Sequence, residues 1–396
     1  MNCDYDVLII GGGLVGGSLA LALEDAPLRI GIVEAQTDAE RQRSPASDRA
    51  LAISRGSRQI LDALGVWPEV AQSAMPIRHI HVSDRGHFGK TRLHAAEQGV
   101  DALGYVSVAR PLEDAIVRRI GKTKATRLCP ARIIGLKAGP EGVCVMLRQG
   151  DQDLNLTTRL LVAADGGNST VRHLLGIEQA VRDYGQTAIV TEVTTTRQNQ
   201  HTAYERFTSS GPLAVLPLEP RRSSIVWTLR HEDATELLQQ CEHDFTANLQ
   251  RAFGQWLGTL SVSAKTQGFP LKLVRAESMT DERVVLIGNA MHQLHPVAGQ
   301  GFNLGLRDAA LLADRIKTQA AFGEDIGAKS MLSAYAASRR RDLEKVIRFT
   351  DSLVQLFSTD APPLAVARNI ALIALDRIPA AKRLLAGHAM GYGVRL

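Results

Sequence analysis

Apolar residues fall into two kinds of pattern that alternate along the chain. Tyr5 to Gly11 (YDVLIIG) is an apolar run rich in branched residues and predicts a buried strand. Leu14 to Leu23 has helical spacing, and Arg29 to Val33 predicts a second strand with Glu34 at its end. Residues 35 to 50 are polar, rich in Ser, Arg and Gln, and read as a long exposed loop. Gly56 to Leu64 and Leu112 to Ile120 have helical spacing, whereas Ile77 to Ser83, Arg132 to Leu136 and Val143 to Leu147 alternate as strands do. Residues 160 to 164 form a short buried strand ending at Asp165. From about 181 to 275 the character changes. There Thr187 to Thr196, Ala203 to Thr208, Leu213 to Leu218 and Ser223 to Leu229 predict successive antiparallel strands joined by Gly, Pro, Ser and Arg turns. Residues 283 to 287 return to the buried-strand pattern, Asn303 to Ile316 predicts a helix, and the chain beyond Met331 reads as helical to its end.

These elements predict an α/β fold with a Rossmann-like domain built from residues 1–76, 105–180 and 276–330. An antiparallel sheet domain from 77–104 and 181–275 is inserted into it, and residues 331–396 form a C-terminal helical region. The first strand leads into Gly11-Gly12-Gly13-Leu14-Val15-Gly16, a G-x-G-x-x-G directly between strand and helix, which is the context a dinucleotide fingerprint requires. Gly11 serves the tight turn, Gly13 lets backbone approach a pyrophosphate, Gly16 lets helix and strand pack closely, and Glu34 accepts from a ribose hydroxyl. A glycine-rich turn without a ligand is the bland alternative, and the agreement of strand, spacing and acid weighs against it.

Composition narrows the class without naming it. With 396 residues, 45% of them hydrophobic and 22% charged, the chain has room for two domains and the balance of an ordinary globular protein. The formal charge of +5 is scattered apart from Arg339-Arg340-Arg341, and no basic run is interleaved with aromatics. A solvated surface with sites for anionic cofactors is therefore expected, and nucleic acid is not. Cys3, Cys129, Cys144 and Cys241 are widely spaced, with no C-x-x-C and no metal-like cluster, so neither disulfides nor a metal centre is expected and a reducing compartment is. The first strand starts so early that no signal peptide is expected, and no apolar run reaches the ~18 residues of a membrane span.

Two further segments end strands and carry chemistry. Asp165-Gly166-Gly167-Asn168-Ser169-Thr170-Val171-Arg172 resembles the D-G-x-x-S-x-x-R element of the aromatic-ring flavoprotein monooxygenases. Gly288 to Asp308 (GNAMHQLHPVAGQGFNLGLRD) is similar to that family's third element, G-D-A-x-H continuing to P-x-x-G-Q-G-x-N, and the resemblance covers essentially the whole chain. It implies FAD as cofactor and a fold of the p-hydroxybenzoate hydroxylase type. It also implies that Gly11, Gly13, Gly16 and Glu34 hold the ADP part, and that Arg49, Asp165, Gly166 and Arg172 lie at the flavin half or its linker. Gly288, Asn289, Pro296, Gly299, Gln300, Gly301, Phe302 and Asn303 would wrap the ribityl chain and ring. Because the last five precede a helix, its N–H groups and positive end can face the ring where negative charge develops on reduction. Two positions depart from the family pattern: Asn289 stands where an Asp is usual, and Ala109, beside Arg110, where a polar flavin contact is common.

By the same resemblance, NAD(P)H is the electron donor and dioxygen the co-substrate, with a C4a-hydroperoxide transferring oxygen to an electron-rich ring while the protein orients the phenol and excludes water. No second dinucleotide fingerprint appears, so the nicotinamide donor is expected to bind without a domain of its own. His295 and Pro296 are the candidate catalytic positions; His292 and His295 each read either as an aid to phenol deprotonation or as a hydrogen-bonded loop residue. His81-Val82-Ser83-Asp84-Arg85-Gly86 and Glu205-Arg206-Phe207-Thr208, continuing to Gly211-Pro212-Leu213-Ala214 and Leu216-Pro217, resemble the ubiquinone-biosynthesis hydroxylases. The nearest branch oxidises 2-polyprenyl-6-methoxyphenols para to the phenol oxygen. Other ring positions, another phenol and a non-catalytic flavoprotein component remain alternatives, as does an NAD-dependent dehydrogenase using the first motif alone.

A polyprenyl substrate resides in the bilayer. Residues 363 to 386 mix an apolar face with Arg368, Arg377, Lys382 and Arg383, which suits an interfacial helix or, equally, a helix packed on its own domain or on a partner. The expectation is a cytoplasmic protein, peripheral on the inner membrane or held in a ubiquinone-biosynthesis complex.

Overall fold

The computed structural model describes residues 3–294, 299–357, 369, 374 and 376–391. Its architecture is mixed α/β. An eight-stranded sheet has the order Thr280–Asp281, Val284–Leu286, Gln152–Ala163, Tyr5–Ile10, Ile30–Val33, Thr126–Leu128. The last five of these strands run parallel. The antiparallel strands Arg132–Gly139 and Gly142–Gln149 extend it from the early half of Gln152–Ala163. Strands buried on both faces need apolar residues at every position, which is why Val7 to Ile9 and Leu160 to Ala163 are unbroken apolar runs at 0% exposure. Helix Leu14–Ala22 packs between Gln300–Ala321 and Ala109–Ile120.

The second sheet has nine strands, in the order His292–Gln293, Gln267–Ala276, Gln179–Thr195, Arg222–Arg230, Gly211–Glu219, Thr202–Thr208, His79–Asp84, Lys90–His94, with Leu260–Val262 also on Gln179–Thr195. All pairs are antiparallel except Thr202–Thr208 with His79–Asp84. One face is sealed by helices His231–Gln239 and Glu242–Phe253, whose Leu237, Phe245 and Leu249 pack on Ile189, Leu213, Ile225 and Trp227. Alternation then sends Val190, Ala214 and Val226 to the other face. A three-stranded sheet of Ala50–Ser54, Gly104–Val108 and Met75–Ile77 lies in the chain between the two.

Several local expectations need correcting. The alternating stretch Ile77 to Ser83 is not one strand: Ile77 pairs with Gly104 in the three-stranded sheet, and from His79 the chain pairs with Thr202–Thr208 in the large one. Arg78 between them donates its N–H to His201 O at 2.9 Å. The polar loop 35–50 contains a helix, Asp38–Arg43, started by a capping box in which Thr37 and Glu40 satisfy each other's backbone. The stretch read as strands alone, 181 to 275, also carries the two sealing helices.

At the C-terminus, helices Lys329–Phe357 and Pro379–Ala389 are described. Within 363–386, residues 363–368, 370–373 and 375, Arg368 included, lie outside the described residues. Ala386 and Met390 pack on Leu93, Ala95 and Leu103, and Lys382 pairs with Glu97 at 3.2 Å, so this end of the chain docks on its own protein. Among the described residues no helix is long and apolar enough to cross a membrane.

The parallel sheet sets the stability of the larger domain. Leu8 is at 0% exposure in its central strand, and Leu8→Ala is expected to lower the unfolding free energy by about 2–5 kcal/mol in urea titration. A change under about 1 kcal/mol would show that this strand is not a packed core.

Candidate active site

The three glycines of the first turn do three different things. Gly11 has φ +101°, and a Cβ there would lie 2.4 Å from Ala164 O, so both conformation and space demand glycine. A Cβ on Gly16 would lie 2.0 Å from Gly11 O, because the helix start rests directly on the turn. Gly13 is the opposite case, with nothing within 4 Å of its Cβ position. It caps helix Leu14–Ala22 without any side-chain cap, so that helix's positive end is left to whatever enters from the open side. Glu34 holds the turn from the next strand end: its Oε2 accepts from Gly12 N–H at 2.8 Å and its Oε1 from Gln36 N–H at 2.9 Å. Each oxygen keeps a lone pair for a further donor.

In the second element, Asp165 Oδ2 accepts from Val171 N–H at 3.2 Å, while Oδ1 is buried with no hydrogen-bond partner among the described residues. A buried carboxylate oxygen without a donor is costly, and one left beside an open site fits a ligand hydroxyl. Arg172 is held by backbone carbonyls of two elements. It is buried, donates from Nη1 to Ala290 O and from Nη2 to Gly167 O, both at 2.8 Å, and does not line the cavity described below. It ties the second element to the third.

The third element is organised around a carboxylate that sequence reading did not single out. Asp308, fully enclosed in helix Gln300–Ala321, accepts from His292 Nε2 at 2.7 Å and Gly288 N–H at 3.0 Å on Oδ2, and from Arg339 Nε at 2.7 Å on Oδ1. Burial pushes its carboxyl up, but the charges of Arg339 and His292, with the hydrogen bonds from His292 and Gly288, outweigh burial and hold it down to about 2. Arg339 also reaches Asp342 at 2.7 Å, which Arg307 contacts at 3.1 Å. The signal was present: Leu304, Asp308, Leu312 and Ile316 share one buried helical stripe, and a charge on such a stripe needs partners. His292, at 2% exposure, gives its Nε2 to this network, while its Nδ1 is buried with no hydrogen-bond partner among the described residues. His295 and Pro296 lie outside the described residues.

Asn303 fixes the start of its own helix. Its Oδ1 accepts from Ser54 N–H at 2.9 Å, and its Nδ2 donates to Ala52 O at 2.9 Å and Gly299 O at 2.8 Å. The amide therefore clamps the start of Gln300–Ala321 to strand Ala50–Ser54. Gly299, at φ +60°, meets Ala52 Cβ at 2.7 Å from where its own Cβ would stand.

These elements border one cavity of about 910 Å³. Gly13, Arg49, Gly166, Asn289, Gly299, Gln300, Gly301, Phe302 and Asn303 line it from the parallel-sheet side. Asn289 is exposed to it with no protein partner for its amide among the described residues. Arg49 is likewise exposed to it with no ion pair among the described residues. Gly11, Gly16, Glu34, Asp165 and Gly288 do not line the cavity, though Gly13, Ala164, Gly166 and Asn289 beside them do. Arg110 does not supply the contact missing at Ala109: its guanidinium holds Asp48 at 2.6 Å and the Gln42 carbonyl. The other wall is the open face of the large sheet, with Ile80, Val82, Val190, Ala203, Ala214, Leu216 and Val226, and one acid not foreseen as a site residue, Glu205.

The residues present fit FAD. Backbone is exposed at Gly13, helices Leu14–Ala22 and Gln300–Ala321 start at the same cavity, and the orphaned Asp165 oxygen lies in the strand-end loop whose Gly166 borders it. Comparison with known proteins agrees. The family model described as an FAD binding domain matches residues 4–350. The chain is 39% identical to ubiquinone hydroxylase UbiL of Rhodospirillum rubrum, over 98% of this chain and 89% of the relative. It is 30% identical to 3-demethoxyubiquinol 3-hydroxylase of Escherichia coli, over 98% of this chain and 99% of the relative. Among solved structures, p-nitrophenol 4-monooxygenase PnpA of Pseudomonas putida superposes with a TM-score of 0.82 over 100% of both chains at 19% identity, a likeness of fold.

The glycines separate cofactor binding from folding. Gly13→Leu is expected to keep the melting temperature of the apoprotein but weaken FAD binding at least about tenfold, whereas Gly16→Val destabilises by about 1–3 kcal/mol through overpacking. Flavin absorbance retained after gel filtration, read beside thermal melts, checks both. Asp308→Ala is expected to lose about 3–5 kcal/mol, because Arg339 and His292 stay buried without their acceptor. In the parent protein the carboxylate's stabilisation is complete above its unfolded value of 3.8 and is lost as pH falls from there toward about 2. Acid titrations of parent and variant that superpose across that window would refute this role.

Proposed function

The chain belongs to the FAD binding domain family alongside ubiquinone hydroxylases, and from that premise we propose that it hydroxylates a polyprenylated methoxyphenol ring in aerobic ubiquinone biosynthesis, with NAD(P)H as reductant and dioxygen as co-substrate. The observation that carries the reading is the single cavity joining glycine-rich cofactor edges to an apolar sheet wall. A phenol with an isoprenoid chain has this division of surface: a ring that must lie near the cofactor, and a tail that needs only apolar lining.

The chemistry supplied by bound FAD is acceptance of a hydride from NAD(P)H and activation of dioxygen. Gly13 and the amides opening helix Leu14–Ala22 would bind its phosphates, Glu34 its ribose, and Asp165 and Asn289 its linker hydroxyls. The helix start at Gln300 to Asn303 would stabilise negative charge on the reduced ring, and the Asn303 clamp holds that start in place. Val190, Leu216 and Val226 exclude water from the space beyond.

Access from a membrane is part of the proposal. Phe269 and Leu385 border the cavity, Phe269 is 49% exposed, and Leu384 beside Leu385 is 74% exposed. These side chains form an apolar rim suited to peripheral contact with the inner membrane, or to a partner in a biosynthetic complex, on a cytoplasmic protein.

A strain lacking this gene, grown in air, is expected to accumulate a polyprenyl-methoxyphenol and lose ubiquinone, as read by mass spectrometry of extracted lipids. Normal ubiquinone would overturn the pathway assignment, and accumulation of a different pathway phenol would move the reaction to another ring position.

A further inference from the structure

The sheet wall of the cavity contains an acid that neither cofactor binding nor folding explains. Across the strands one row runs Val82, Glu205, Ala214, Val226, Val190 and Gln267, each the register partner of the next. Glu205 is the one ionisable side chain in the row, with aliphatic neighbours on both sides, and it lines the cavity. By accessible area it is half-buried, yet protein encloses it on all sides, because the surface it exposes is cavity wall. Its carboxyl has no hydrogen bond or ion pair among the described residues, and burial alone pushes it up to about 7. Glu192 on the same wall differs, since Arg222 stands 3.5 Å from it. An acid held in an apolar row without a partner is a standing cost to the fold, which a well-packed Leu or Gln would relieve.

We infer that Glu205 is a catalytic residue that binds the substrate's phenol hydroxyl and takes its proton, an inference that rests on the hydroxylase reading above. The transfer balances within the cavity. The phenol O–H bond breaks, an O–H bond forms on the carboxylate, and the electron pair stays on the phenol oxygen and spreads to the ring carbons ortho and para to it. One negative charge enters the step on Glu205 and leaves it on the phenolate, so no second charge is buried. No oxidant or reductant is consumed by this step. A phenol is about three units weaker as an acid than this carboxyl, so the proton stays on the phenol, hydrogen-bonded to the carboxylate, in the bound complex and passes over as the ring gives up electron density. Ala214, the small residue beside Glu205, leaves the ring room.

Other ionisable groups near the cavity are accounted for. Lys265 and Glu192 lie on the sheet wall, Tyr204 precedes Glu205, and Asp48, Arg49 and Glu113 line the cavity from the first domain. On the neighbouring strand Asp84 pairs with His87 at 3.2 Å, and His81 stacks on Trp256. None of these is within ion-pair or hydrogen-bond distance of Glu205 among the described residues.

The test uses the FAD-loaded full chain with NADPH or NADH in air and 6-geranyl-2-methoxyphenol as probe, following hydroxylated product and hydrogen peroxide from pH about 5 to about 9. The parent is expected to show a kcat that rises with pH through about 7, as Glu205 ionises. Glu205→Gln is expected to lose about 10²–10⁴-fold in hydroxylation kcat with little change in KM, to abolish that rise, and to divert oxygen to peroxide. Its melting temperature above pH 7 should equal or exceed the parent's, since an unpaired charge has been removed. Glu205→Asp keeps the charge and carries the test if the amide variant fails to retain FAD: a lower kcat with the pH rise retained is expected. An amide or Asp variant with the parent's kcat and pH profile overturns the inference alone. A parent protein that hydroxylates no phenol overturns the hydroxylase reading, and this inference with it.

Discussion

The site is held in shape by one buried carboxylate. Asp308 receives the Gly288 N–H, the His292 ring and the Arg339 guanidinium, and so joins the end of strand Val284–Leu286, the chain entering the large sheet, and helix Lys329–Phe357. Asn289 and the second and third elements inherit their positions from that junction, with Arg172 bracing Ala290 from the other side. A charge in this setting would destabilise the fold if any one donor were missing. With all of them present the carboxylate stays ionised, and the loop bordering the cavity is fixed by short contacts where loose packing would otherwise leave it free to drift.

The cavity's two walls follow from two different strand economies. Parallel strands end at one edge, so the loops after Ile10, Ala163 and Leu286 converge there, and their backbone groups face a ligand. The large antiparallel sheet is sealed by two helices on one face, while its second face is apolar and borders the cavity, with Pro379–Ala389 covering it only at Leu93 and Ile80 among the described residues. Bringing an unsatisfied polar edge against an unpacked apolar face produces a space that wants a ligand with one polar and one greasy end. Within it, low polarity strengthens whichever hydrogen bonds the ligand makes.

What was legible in the sequence follows the range of the interaction. The first turn was readable because its three glycines lie within six residues of one another: the tight turn at Gly11 and the close packing at Gly16 are as their spacing implied, and Gly13 stands open. Strands with unbroken or alternating apolar runs were found, but Gln152–Ala163 and Gln179–Thr195 each start eight residues before the apolar runs at 160 and 187, because their early halves are mostly exposed or polar. Ile77 to Ser83 failed because periodicity does not say which sheet a strand joins, and the change of partner at Arg78 is set by His201 far along the chain. Arg172 looked like a ligand because its motif is shared with flavoenzymes. Only the placement of Ala290 and Gly167 shows where its guanidinium goes. Glu205 sits within a family-like segment, yet strand alternation makes every second residue of such a segment a core residue. Its meaning appears once Val82 and Ala214 are seen on either side.

Asp308 and Glu205 show how a buried acid is to be read. Both are enclosed, and burial pushes both upward, so burial by itself does not separate structural from chemical roles. The partners separate them. Asp308 has a cation and fixed donors on both oxygens and is held down to about 2, which makes it inert near neutral pH and useful only as a fastener. Glu205 has an apolar row and an open cavity, and at about 7 it changes protonation where an enzyme works. A fold selected only for stability would give the second acid a partner or replace it, as it has done for the first. The partner that Glu205 lacks must therefore arrive with the ligand, and a hydroxyl on an otherwise apolar ring is the group that supplies a donor there without adding a second charge.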